Sequence, residues 1–176
     1  FISAGEHPVA FLDERGLASD AGNWLLTNRL VVAARPAGDI GLTSLAMLGN
    51  PAVGRIALAD PELAPAGRYG QEALISLGLW DPLEPKLVFG PDVRATLAYV
   101  ESGNADVALV YATDARAAED LEVFDIVPAD SYSKIRYPMV VVRASTNETG
   151  ASEFVAFLEG AEAVSVFKAH GFEPGN

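Results

Sequence analysis

Apolar positions in this chain come in short blocks separated by proline and glycine, and the block the others are arranged around is residues 56–77, IALADPELAPAGRYGQEALISL. Ile56, Ala57, Leu58 and Ala59 form a continuous apolar run that reads as a buried strand. Pro61 and Pro65 mark a loop, and from Ala66 onward Ala66, Tyr69, Ala73 and Leu77 recur at near-helical spacing. Pro65 suits a first helical turn and Gly78 a helix stop. Ala66 and Gly67 carry no side chain large enough to screen the unpaired backbone N–H groups of the entry turn, which makes it a candidate anion site. The alternative is that Pro-Ala-Gly merely starts a helix.

The same punctuation divides the rest of the chain. Residues 1–4, FISA, read as the end of a strand, and residues 6–14 as a short surface helix with Pro8 in its first turn and Gly16 behind it. Residues 29–34, RLVVAA, read as a strand followed by Pro36 and Gly38, and residues 42–48 as a brief helix stopped by Gly49-Asn50-Pro51. Trp80-Asp81-Pro82 reads as a turn and residues 86–89 as a strand. Asp92 is then a plausible N-cap of a helix marked by Val93, Leu97 and Val100 and closed at Gly103. Residues 106–111, DVALVY, read as a buried strand with Thr113 able to cap the next helix. Strands at residues 122–127 and 137–143 and helices at 151–159 and 162–169 complete the pattern. Strands alternating with helices predict an α/β chain with a largely parallel sheet covered on both faces. The apolar runs at 30–34 and 139–142 bracket that block. Paired side by side they would make it a lobe inserted in a second lobe, with the pair as a hinge.

Composition narrows the function. A chain of 176 residues with 50% hydrophobic positions can build a real core. A net charge of −12 and a pI near 4.4 argue against nucleic acid and anionic membranes, so any bound anion must be held by local dipoles. There is no cysteine, and His7 and His170 lack ligand-spaced companions, which disfavours thiolate chemistry and a transition-metal site. No apolar run reaches the roughly 18 residues of a membrane span. The FISA start is read as a mature fragment rather than a natural N-terminus.

Three positions fall just beyond the carboxyl ends of predicted strands, where α/β sheets bind ligands: Ala66, Val93 and Tyr111. Val93 can be a core side chain, its backbone N–H being the functional group; Tyr111 can bury its ring or donate its O–H to a ligand. Asp92 reads as a cap in preference to a ligand contact, and Asp60, Glu62 and Glu72 as solvated charges, with ordering of the loop as the alternative for Asp60; Arg68 and Arg94 could face an anion but sit where side chains usually point to solvent. No G-x-S-x-G elbow, Walker loop or histidine–carboxylate–nucleophile set stands out, so no catalytic residue is assigned.

The chain resembles the periplasmic molybdate-binding proteins of molybdate ABC transporters, the ModA family. The resemblance is carried by Phe1-Ile2-Ser3-Ala4, Ala59-Asp60-Pro61-Glu62 through Pro65-Ala66-Gly67-Arg68-Tyr69, Glu72-Ala73-Leu74 with Leu77-Gly78 and Trp80, Pro85-Lys86-Leu87, Asp92-Val93-Arg94, Val110-Tyr111 with Asp114-Ala115, Tyr137-Pro138, and the segment from Phe167 to Phe172. It implies a two-lobe periplasmic binding protein fold (type II) with mixed sheets and helices on both faces. One lobe would be residues 32–134, and the other, partial, residues 1–31 and 135–176. It implies a receptor that captures molybdate or tungstate between the lobes and delivers it to a transporter permease, outside the cytoplasm, as a monomer without cofactor or catalysis. Ala66 and Val93 would supply backbone N–H groups and Tyr111 its phenol O–H to the oxyanion, with no direct bond to the metal. The family's remaining ligands are serines on a segment N-terminal to FISA, for which Ser3 is no substitute; binding is expected to weaken or vanish where that segment is missing. The alternatives are a receptor for sulfate or phosphate, an enzyme on the same fold, or a sensor domain of a transcription regulator, which would carry a basic helix-turn-helix segment not seen here.

Overall fold

The computed structural model describes residues 1–19, 23–36 and 44–175. In chain order the elements are α1 (His7–Glu14), β1 (Asn23–Asn28), β2 (Leu30–Ala34), β3 (Ile56–Ala59), α2 (Pro65–Ser76), α3 (Trp80–Leu83), β4 (Leu87–Gly90), α4 (Val93–Glu101), β5 (Val107–Tyr111), α5 (Ala112–Ala117), β6 (Glu122–Ile126), β7 (Ile135–Met139), α6 (Glu148–Glu159), α7 (Ala161–Ala169) and β8 (Glu173–Pro174). A 3-10 turn at Leu45–Gly49 stands where a brief helix was expected over residues 42–48, whose first two residues, like Gly38, lie outside the described ones. Trp80-Asp81-Pro82 is a helical turn rather than a simple reversal.

The chain divides into two compact units, Phe1–Asn28 with Ile135–Asn176, and Arg29–Lys134. The second unit is built on a five-stranded sheet in the order β4-β3-β5-β2-β6. β3 lies between β4 and β5 and runs parallel to both, whereas β2 pairs antiparallel with β5 and with β6. The sheet is therefore mixed, and the largely parallel arrangement expected from alternation holds only for β4, β3 and β5. β3 is buried along its whole length, and β2 and β5 are buried except at their last residue, which is why their sequences read as unbroken apolar runs.

Successive side chains of a strand point to opposite faces, and both faces of this sheet carry a helix. Ala57 and Ala108 pack with Leu97 and Val100 of α4. Leu58, pointing the other way, meets α2 at Gly70, where a Cβ would run into the Leu58 side chain. A Cβ on Gly67, one turn earlier, would collide with the Ala59 carbonyl oxygen. Two glycines three residues apart thus let α2 lie directly on β3. The buried face of α2 is Ala66, Gly67, Gly70, Ala73 and Leu74, while Leu77, expected on that face, is exposed.

The first unit holds a three-stranded antiparallel sheet in the order β7-β1-β8, with Leu25, Leu26 and Met139 packed against Leu158 of α6 and Ala163 of α7. Ile2 joins it through an isolated bridge to Met139, and Val142 bridges Ala18. The runs at 30–34 and 139–142 do not pair with each other. β2 is buried on both faces and takes β5 and β6 as neighbours, while Met139 pairs with Asn23 and Ile2.

Candidate functional site

Parallel strands end on the same edge of their sheet, so Ala59, Gly90 and Tyr111, the last residues of β3, β4 and β5, come together there. The loop leaving β3 is closed on itself by Asp60. Its N–H donates to the Gly90 carbonyl at 2.7 Å, its carboxylate accepts the Glu62 N–H at 2.8 Å, and its carbonyl accepts the N–H groups of Leu63 and Ala64 at 3.1 and 2.9 Å. Asp60, read from sequence chiefly as a solvated charge, takes instead its alternative role and orders the loop. This turn delivers Ala64 as the N-cap of α2, directly beside the strand end it has just left.

Helix starts have four N–H groups without intrahelical partners, and α2 disposes of them in a particular way. Ala64 has no capping side chain, Pro65 has no N–H, and the Gly67 and Arg68 N–H groups donate to the Ala64 carbonyl at 3.1 and 3.3 Å. The Ala66 N–H remains, with no acceptor among the described residues. Gly67, expected to offer a bare amide as well, has its N–H paired. Ala66 is only 1% exposed, and buried backbone N–H groups are nearly always paired, so this donor stands out among the described residues.

The start of α4 is capped. Asp92 Oδ1 accepts the Ala95 N–H at 2.9 Å, and its carbonyl accepts the Thr96 N–H at 3.0 Å and the Thr96 hydroxyl at 2.8 Å. Asp92 therefore acts as the cap it was expected to be, and it leaves the Val93 and Arg94 N–H groups without acceptors among the described residues. Gly90 permits this tight return, since a Cβ there would stand 2.9 Å from the Thr96 hydroxyl.

Ala66, Val93 and Tyr111 meet. Ala59, Ala64 and Ala66 form a buried cluster, and the half-buried side chains of Val93 and Tyr111 pack against it. Tyr111 ends β5 and serves as N-cap of α5 without a side-chain cap bond; Thr113, expected to cap that helix, sits inside its first turn and donates to Asp114 at 3.5 Å. The first turns of α2 and α4 contain no acidic residue, and that of α5 contains Asp114. Burial pushes the Asp114 carboxyl up from its ordinary value, against the opposing pull of the Thr113 hydroxyl and the Arg94 charge. Among the described residues no group of histidine or acidic side chains could hold a metal ion, and no helix is long and apolar enough to cross a membrane. The glycine seat of α2 was missed in the sequence; the pair Gly67/Gly70 was the available signal.

Residues 1–173 match the family model of the bacterial extracellular solute-binding proteins. The molybdate-binding protein ModA of Escherichia coli K12 is 39% identical over 98% of this chain and 68% of its own length. A candidate ABC transporter substrate-binding lipoprotein of Bacillus subtilis 168, YvgL, is likewise 39% identical over 98% of this chain and 66% of its own length. The chain thus spans about two thirds of the curated relatives it matches. The solved substrate-binding domain of a candidate molybdenum ABC transporter from Clostridium difficile superposes with a TM-score of 0.91 at 36% identity, covering 100% of this chain and 76% of that one. The resemblance drawn from sequence and the type II binding-protein fold are both borne out, and the chain belongs to the bacterial extracellular solute-binding protein family.

Proposed function

We propose that the protein captures molybdate, and equally tungstate, as the oxyanion and presents it to the permease of an ABC transporter outside the cytoplasm, as a monomer that catalyses nothing. The observation that carries this reading is the gathering of the Ala66 and Val93 N–H groups, without acceptors among the described residues, with Tyr111 on one apolar cluster at the strand ends. The groups proposed to meet the anion, the Ala66 and Val93 N–H groups and the Tyr111 hydroxyl, are neutral donors, and the helix starts behind two of them add the positive ends of their dipoles. Two of the nearby carboxylates are turned to their own loops, Asp60 to the Glu62 N–H and Asp92 to the Ala95 N–H, and burial raises the pKa of the third, Asp114. A fully deprotonated tetrahedral dianion needs only donors, whereas phosphate, which keeps a proton near neutral pH, gains from an acceptor. Sulfate shares the donor requirement and is separated by its smaller size. Family membership and the molybdate-binding relatives support the same choice.

The test is calorimetry on the full-length protein with molybdate, tungstate, sulfate and phosphate. Molybdate and tungstate are expected to bind and to displace one another. Tight binding of sulfate or phosphate with no heat from molybdate or tungstate would sink the proposal. Removing the phenol O–H by Tyr111→Phe should weaken molybdate binding roughly 10- to 100-fold, the worth of one hydrogen bond to a charged group.

A further inference from the structure

Beyond its first turn, α2 touches the chain beside the second place where it passes between the two units, and through Tyr132 it reaches the chain beside the first. Those crossings are Asn28 to Arg29 and Lys134 to Ile135. Tyr69 and Glu72 are three residues apart and share one face of the helix. The Tyr132 ring stands edge-on to Tyr69, with centroids 6.4 Å apart and planes at 60°, and the Tyr132 hydroxyl accepts the Leu30 N–H at 3.1 Å. Glu72 Oε2 accepts the Ser133 N–H at 2.7 Å. Leu30 follows the first crossing by one residue past Arg29, and Ser133 immediately precedes Lys134 at the second. These bonds span 102 and 61 residues of sequence, so no local turn geometry imposes them.

We propose that Glu72 and Tyr132 are positioning residues that tie the oxyanion site to both crossings. This rests on the oxyanion reading. α2 is a single 12-residue helix seated on β3 through Gly67 and Gly70, with the Ala66 amide at one end. Glu72 lies six residues on, about 9 Å along the axis, so a displacement of the first turn toward a bound anion moves the Ser133 and Tyr132 contacts with it. Leu30 is fully buried, and the Tyr132 hydroxyl is the acceptor of its N–H, which makes that amide a reporter of the linkage.

Amide hydrogen exchange on the full-length protein with and without sodium molybdate tests this, in wild type, Glu72→Ala, Glu72→Gln and Tyr132→Phe. Molybdate is expected to slow exchange about tenfold or more at Ala66, Val93, Leu30 and Ser133 in wild type. In Glu72→Ala the molybdate effect at Ser133 should disappear while that at Ala66 and Val93 persists, and Glu72→Gln, whose side-chain oxygen still accepts, should restore it. Tyr132→Phe should remove the effect at Leu30 alone. Protection at Ala66 and Val93 with none at Leu30 and Ser133 overturns the linkage and leaves the oxyanion reading standing. No protection at Ala66 and Val93 at saturating molybdate overturns that reading, and the linkage with it. Failure of Glu72→Gln to restore Ser133 removes Glu72 from the device.

Discussion

The first turns of α2 and α4 open onto the same apolar cluster and expose backbone donors by opposite means. α4 uses a capping side chain, Asp92, which satisfies the third N–H of the helix and leaves the first two. α2 has no cap at all: alanine stands at the N-cap, proline removes one donor covalently, and the tightened Gly67 bond removes another, leaving a single amide at Ala66. The capped helix can be exposed because its carboxylate holds the turn from outside, and Asp92 is itself exposed. The uncapped one is held from below by its contact with β3. A carboxylate at position 64 would satisfy α2 better, and would put a negative charge beside the amide proposed to meet the anion. The two turns show that helix-start amides can be left without acceptors either by placing the cap where it does not compete or by omitting the cap and letting packing supply the stability.

That contrast is broken most severely at Gly67. If packing on β3 is what holds the uncapped turn, then Gly67→Ala, whose Cβ meets the Ala59 carbonyl and the Asp60 and Pro61 backbone, must lift the start of α2 off the strand. None of those atoms is the end of a flexible side chain. Destabilisation of ~3 kcal/mol is expected, at the upper end of overpacking costs, with molybdate binding lost even where the variant still folds. Urea denaturation and calorimetry would measure both. A variant as stable as wild type would mean that α2 is held by something other than its seat on the strand.

What could be read from sequence follows the same division between local and distant causes. The strand at residues 56–59, the proline entry to α2, the Asp92 cap and the placement of Ala66, Val93 and Tyr111 at strand ends were all legible, because apolar runs, proline and cap residues act within a few positions of themselves. The β1 strand, NWLLTN, was not seen. Its ends are polar, its burial lacks clean alternation, and it exists through pairing with β7 more than a hundred residues away, with an irregular register near Trp24. The antiparallel direction of β2 escaped for the same reason, since β5 and β6 supply its partners from far along the chain. Gly67 looked like a source of bare amide. Only the geometry of the turn reveals that its N–H is spent on Ala64 and that its missing side chain is the functional feature.

A milder way to sharpen the contrast acts on α4. Asp92→Ala removes the cap and leaves the Ala95 N–H without its acceptor, so α4 should lose about 1 kcal/mol, the usual worth of an N-cap. If the cap only supports the turn, molybdate affinity should change far less than in Gly67→Ala, because the Val93 and Arg94 amides were never engaged by it. Thermal melts and titration of the same variant separate the two quantities. A collapse of binding with little change in melting temperature would instead make Asp92 a direct participant at the anion.

The smallest expected effect concerns the third strand end, where α5 carries the one first-turn carboxylate of the three helices, Asp114. Burial raises its pKa above 3.8, so the folded protein holds this proton more tightly than the unfolded chain does. Its contribution to stability is then fully present below 3.8 and is lost as pH rises through the folded-state value; above that, ionised Asp114 is a standing cost. Asp114→Asn removes the titration while keeping the size of the side chain. The melting temperature of Asp114→Asn relative to wild type should climb as pH rises from about 3 and level off above the folded-state value. The Arg94 charge and the Thr113 hydroxyl pull the other way, so the climb should be shallow and should steepen when Arg94 is also replaced by Ala. A relative melting temperature that falls over this range would mean that Asp114 is stabilised in its charged form.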